Sequence, residues 1–125
     1  MIYLDTHVVV WLYVDKGRRL SVSARRLIEE SQSILISPMV LLELDFLYEI
    51  NRLSCGAGPV FSYLHERINL ETCKKPFFSI VAEASKQSWT RDPFDRLITA
   101  HAALDGNTLI TKDVTIQNHY ANSVW

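Results

Sequence analysis

Short apolar runs alternate along this chain with segments whose apolar residues recur at helical spacing. The run IYLD at residues 2–5 reads as a buried strand that ends on a carboxylate. THVVVWLYV follows and is ambiguous: its β-branched residues favour strand, while Thr6 offers a helix start. SVSARRLIEES, 21–31, predicts an amphipathic helix capped by Ser21 or Ser23, and SILIS, 33–37, a second strand. Ser37 then stands as cap and Pro38 as first residue of a helix running to about residue 53. SCGAGP, 54–59, predicts a loop, VFSYLHERI a helix, INLETC (68–73) a third strand and FSIVAEASKQS (78–88) a helix. RDPFDRLITAHAALDGN is the clearest helix of all, with Asp92 as N-cap, Pro93 in the first position and Gly106 as the stop. TLIT, 108–111, predicts a fourth strand and NSVW, 122–125, a terminal one.

Strands alternating with helices predict an α/β sandwich around a mostly parallel sheet. The 125 residues fit one domain, 1–125, with no repeats, low-complexity segments or linkers. In such sheets the strand C-termini and helix N-termini share one edge, where sites form.

Composition narrows the classes. With 48% hydrophobic and 22% charged residues the chain reads as globular, and no apolar run reaches the roughly 18 residues a membrane span needs. The start, MIYLDTH, has no basic region followed by a long apolar stretch, so a cytoplasmic protein is expected. Cys55 and Cys73 form no CxxC pair and read as reduced thiols. A net charge of −1 counts against a binding module that works by phosphate neutralisation alone. A nucleic-acid enzyme of this charge needs a local basic rim, a bound cation, or both. Phosphate-binding glycine motifs, GxSxG and HExxH are all absent.

Four carboxylates map to the active edge. Asp5 ends the first strand, Asp113 follows the fourth, and Asp95 lies in the first turn of its helix. Glu43 lies on a helix in line with Met39, Phe46, Leu47 and Ile50, an apolar stripe read as core-facing, with Asp45, Glu49 and Arg52 on another face. A carboxylate there is costly unless it is paired or binds a cation. Each acid also has a purely structural reading: Asp5 as a helix cap, Asp92-x-x-Asp95 as a capping box, Asp113 as a turn residue, Glu43 as half of an ion pair. Those readings do not explain the convergence. Several carboxylates at one edge repel each other, and a hard cation, Mg²⁺ or Mn²⁺, relieves the repulsion. Such an ion binds phosphate oxygens and acidifies water, which points to phosphodiester hydrolysis.

MIYLDTHVVVW, SPMVLLEL, RDPFDRLITAHA and LITKD, in this order and spacing, resemble the PIN-domain family, and within it the VapC-type toxins of bacterial toxin–antitoxin pairs. The resemblance spans essentially the whole chain. It implies a three-layer α/β/α fold and a metal-dependent endoribonuclease acting on RNA. It matches the family's four acids to Asp5, Glu43, Asp95 and Asp113, with Asp5 and Asp95 as the main metal ligands. Thr6, Asp92 and Thr111 match supporting positions, Thr111 as a residue that orients the carboxylates. Ile116 departs from the aromatic that many relatives carry there. The resemblance further implies a small antitoxin that blocks the site, and a homodimer; Trp11, Tyr13, Phe46, Tyr48, Phe61 and Tyr63 are the aromatic candidates for such surfaces. Arg91, Arg96 and Lys112 flank the acidic motifs as candidate phosphate contacts, whereas Arg25 and Arg26 read as helix surface. The alternatives are a PIN nuclease that processes RNA or cuts DNA without an antitoxin, and a non-catalytic interaction module on the same fold.

Overall fold

The computed structural model describes residues 1–125, and its centre is the first strand, β1 (Ile2–Leu4). Ile2, Tyr3 and Leu4 point alternately to opposite faces, yet all three are buried, so both faces of the sheet are covered. β1 pairs in parallel with β2 (Ile34–Ile36) on one side and β4 (Thr108–Ile110) on the other, Tyr3 lying opposite both Leu35 and Leu109. β3 (Leu70–Thr72) extends the sheet beyond β2 and β5 (Ser123–Val124) beyond β4. The result is a five-stranded parallel sheet in the order β3-β2-β1-β4-β5, flanked by helices. This is the α/β layering that the alternating pattern predicts.

Seven helices make the crossovers: α1 (Thr6–Asp15), α2 (Val22–Glu30), α3 (Pro38–Glu49), α4 (Ala57–Ile68), α5 (Phe77–Ala84), α6 (Pro93–Ala103) and α7 (Val114–His119). The ambiguous segment after Asp5 is therefore helical. Asp5 caps it through the Thr6 N–H, and burial of Val8 and Val9 outweighs the strand preference of the β-branched run. α3 stops at Glu49, short of residue 53, because Asn51 takes a left-handed φ of 61°. α4 starts at Ala57, inside the expected loop: Gly56 has no side chain to cap it, and Oδ1 of Asp45 on α3 accepts the Ala57 N–H at 2.8 Å instead. α5 is shorter than its pattern. α7, which no pattern announced, is a six-residue helix capped by Asp113. No helix is long and apolar enough to cross a membrane.

Leu4, Val8, Ile36, Val40, Leu44, Leu64, Leu70, Ile98, Leu109 and Ile116 form one continuous core between sheet and helices. Truncating such a fully buried side chain, as in Leu44→Ala, costs about 2–5 kcal/mol. That core holds the edge described next in register.

Candidate active site

The chain builds β1, β2 and β3 outward in one direction, then returns to place β4 on the opposite flank of β1. The connections leaving β1 and β4 therefore diverge and leave a crevice at their C-terminal ends, where ligands bind in open parallel sheets. Asp5 stands directly after β1, its N–H bonded to the Ile110 carbonyl at 3.0 Å, and Thr111 and Asp113 follow β4. The sheet order alone puts these residues, far apart in sequence, at one point.

Helix capping brings carboxylates to the same edge. Asp5 caps α1 with Oδ1 (2.7 Å from the Thr6 nitrogen), Asp92 caps α6 with Oδ1 (2.9 Å from the Phe94 nitrogen), and Asp113 caps α7 with Oδ1 (2.8 Å from the Thr115 nitrogen). Each cap uses one carboxyl oxygen for helix N–H groups. Capping and site-building are thus one geometry, not rival explanations. Asp95 behaves differently. In a capping box its carboxylate would take the Asp92 N–H, but the Thr90 hydroxyl takes it at 3.1 Å, so the Asp95 carboxylate is not spent on the helix start.

Two hydroxyls set the orientation of the acids. Thr111 Oγ1 donates to Asp5 Oδ2 at 2.7 Å and accepts the Asp113 N–H at 3.0 Å, tying the ends of β1 and β4 together. Thr6 Oγ1 donates to Glu43 Oε1, tying α1 to α3. The stripe that carries Glu43 is not the core-facing one: Val40 and Leu44 fill the core, while Phe46 and Ile50 are exposed. Glu43 instead faces the crevice wall, and Phe46 packs edge-to-face on Phe94 of α6, ring centroids 5.3 Å apart. That contact sets α3 against the start of α6, where Asp95 lies.

Asp5, Glu43, Asp95 and Asp113 line one pocket of about 490 Å³, together with Thr6 and a rim that includes Trp11, Arg19 and Arg52. Burial pushes the Asp95 carboxyl up to about 7, and Asp92, Asp5, Asp113 and Glu43 add to the shift by repulsion. Glu43 is also raised, first by burial and then by Asp5 and Asp92, against the lowering effect of the Thr6 hydrogen bond. No three side chains of metal-ligating type are drawn together at ligand spacing, so the pocket is no closed cage. Its donors are nonetheless dominated by the oxygens of four carboxylates, and their repulsion calls for positive charge. Both features fit a hard divalent cation that keeps several waters, as Mg²⁺ does.

The candidate phosphate contacts separate in space. Lys112 lies beside the pocket, against His7, Trp11 and Asp113. Arg96 turns away: its Nε donates to the Ala84 carbonyl at 3.1 Å and its Nη2 to Ser85 at 3.3 Å, which holds α6 to the end of α5. Arg91 is exposed and donates to the Ser88 carbonyl at 3.0 Å. The cations that do line the pocket, Arg19 and Arg52, lack any motif spacing that would single them out. His7 is a further participant. Its Nε2 accepts the Lys112 N–H at 2.8 Å, while its Nδ1 lies 3.6 Å from Asp5 Oδ2, so it spans the loops after β1 and β4. Its position two residues after Asp5, at a helix start, was the only available signal.

The PIN domain family matches residues 2–122. The chain is 33% identical over 120 residues to "Ribonuclease VapC22" of Mycobacterium tuberculosis, covering 94% of this chain and 91% of that protein. Among solved structures it resembles VapBC2 from Rickettsia felis bound to a DNA fragment from their promoter (TM-score 0.66, 20% identity, 99% of this chain and 96% of that one). It also resembles VapBC-1 from nontypeable Haemophilus influenzae (TM-score 0.64, 22% identity, 100% of this chain and 96% of that one).

Proposed function

This chain belongs to the PIN-domain family, and on that premise we propose that it is a divalent-metal-dependent endoribonuclease, the toxin of a VapBC-type toxin–antitoxin pair, acting in the cytoplasm. The observation that carries the reading is the single pocket lined by Asp5, Glu43, Asp95 and Asp113, with Asp95 pushed up to about 7 by burial and by the other acids. Four acids so placed are a liability to the fold and an asset to a cation site.

Asp5 and Asp95 are the proposed main ligands for Mg²⁺ or Mn²⁺, with Glu43 and Asp113 completing the acidic lining. When bound, such an ion neutralises charge on a phosphoryl oxygen and lowers the pKa of water. The protein's own groups do the positioning. Thr111 holds Asp5 Oδ2, the Thr6 N–H holds Asp5 Oδ1, and the Thr6 hydroxyl holds Glu43. These bonds fix the carboxylates before substrate arrives, which is the condition for electrostatic stabilisation without reorganisation. Arg19 and Arg52 on the rim, with Lys112 beside it, offset the repulsion between an acidic pocket and a phosphodiester backbone. The proposed partners are a small antitoxin and a second copy of the chain. Phe77 (62% exposed) and Phe78 (87% exposed) on α5 supply apolar surface of the kind a partner covers.

The deciding experiment incubates purified protein with single-stranded RNA and Mg²⁺ or Mn²⁺, beside Asp5→Asn and Asp95→Asn. Cleavage that depends on the metal and falls at least about a hundredfold in both variants is expected. Undiminished cleavage by either variant removes that residue from its role. Calorimetric titration of Mn²⁺ into wild type and Asp5→Asn separates the nuclease from a non-catalytic module, which would bind no ion.

A further inference from the structure

We propose that Trp11 and Trp125, with Lys112 beside them, form a nucleobase-stacking subsite that holds unpaired RNA next to the acidic pocket; the inference rests on the ribonuclease reading and deepens it. Trp11 of α1 lines the acidic pocket and also the adjoining hollow that it shares with His7, Lys112 and Asp113. Trp125 follows β5 and is brought to the same edge by the Thr111 N–H, which donates to the Val124 carbonyl at 3.0 Å. The two indole rings stand 5.6 Å apart at 59°, and the His7 ring completes the group 5.1 Å from Trp11 and 6.4 Å from Trp125.

Several features distinguish this cluster from indoles that merely seal the sheet edge. Both tryptophans remain partly exposed. Both pack on the core, yet cations stand over the rings as well: Lys112 Nζ lies 5.7 Å from the Trp11 ring and 6.0 Å from the Trp125 ring, and Arg19 Cζ lies 5.9 Å from Trp11. The two indoles are tilted and do not stack face to face, so neither consumes the other's π-face. The position also matters. A phosphodiester seated at the acids has its bases immediately to either side, and the aromatic hollow shares the Asp113 wall with the acids. Aromatic rings interleaved with Lys and Arg beside a phosphate site are how proteins grip single strands without reading a base sequence. A duplex keeps its base faces stacked and gains nothing here, so the subsite selects unpaired RNA. His7 holds the Lys112 backbone at 2.8 Å and thereby pre-positions the cation.

The test uses the full chain and a short unstructured RNA whose cut position has been mapped with wild type. Stacking of one base implies that Trp11→Ala and Trp125→Ala lower kcat/KM by about 5- to 150-fold, chiefly through KM, while Trp11→Phe and Trp125→Phe retain most of it. A companion series gives wild type and the Ala variants RNAs made abasic one nucleotide at a time around the cut. At one flanking position removal of the base costs a similar factor, and at that position the Ala variants lose nothing further. Equal kcat/KM for wild type and both Ala variants, or no cost at any abasic position, overturns the subsite while leaving the nuclease in place. A wild type that neither binds nor cleaves RNA overturns the ribonuclease reading as well.

Discussion

The Thr111 hydroxyl donates to Oδ2 of Asp5 at 2.7 Å, between residues 106 positions apart in sequence. Thr111 is fully buried, and the same oxygen accepts the Asp113 N–H. Thr111→Val removes both bonds while keeping the shape. It is expected to cost about 1–3 kcal/mol of stability and to lower cleavage about 10- to 100-fold, with Thr111→Ser restoring most of both. Melting temperature and single-turnover rate on one RNA check this.

Asp92 and Asp95 are three residues apart and do different jobs. Asp92→Ala removes the α6 cap, so about 1 kcal/mol of stability goes while the four acids lining the pocket remain. Asp95→Asn spares the cap and relieves a crowded acid, so it melts no lower than wild type in the absence of metal and yet is inactive. Parallel melting and cleavage assays should show the two properties moving in opposite directions. An Asp95→Asn protein that cleaves normally would contradict the assignment.

The metal-free protein should lose stability as pH rises. Folded Asp95 holds its proton up to about 7, whereas the unfolded chain releases it near 3.8. Between those values the folded state binds more protons, so this group's contribution is fully present below the lower value and declines as pH climbs through the upper one. In chelator, Asp95→Asn should therefore gain stability relative to wild type as pH goes from 4 to 8. Adding Mn²⁺ at pH 8 should stabilise wild type and leave the variant nearly unchanged. Denaturant titrations at the two pH values measure it.

Thr6 gives a pH signature of its own. Its hydroxyl lowers the pKa of a Glu43 that burial has already raised. In Thr6→Val that pKa rises further, so the acidic limb of the cleavage pH profile should move to higher pH, with the loss greatest at low pH and smallest above neutrality. A uniform drop across the profile would mean that Thr6 acts on something other than Glu43.

Legibility of the sequence followed the strength of local signals. α6 was readable because Asp92, Pro93 and Gly106 are unambiguous local chemistry, and the inner strands because they are short apolar runs with clear ends. α7 was not, since six residues carry too little periodicity and Asp113 looked like a turn. The face of α3 is not legible because apolar residues surround that helix, and only packing shows that Val40 and Leu44 take the core and leave Glu43 to the crevice. Asp5, Asp95 and Asp113 could be placed at that edge from strand and helix ends, whereas Glu43 could not. Arg19, Arg52 and the Trp11–Trp125 cluster could not, because topology and no local motif delivers them to the pocket.

The sheet order also sets a timetable. β1 is synthesised well before its parallel neighbour β4, which spans Thr108–Ile110 and follows only after β2, β3 and six helices. Closing so long a loop is entropically slow, and non-local parallel pairing is the kind of contact that forms late. Until β4 docks, Asp5 lacks its Thr111 donor, Asp113 has no place, and Asp95 and Glu43 have no opposite wall. A nascent or truncated chain that ends before β4 therefore carries its acids apart, and the proposed centre is assembled only when folding is all but finished.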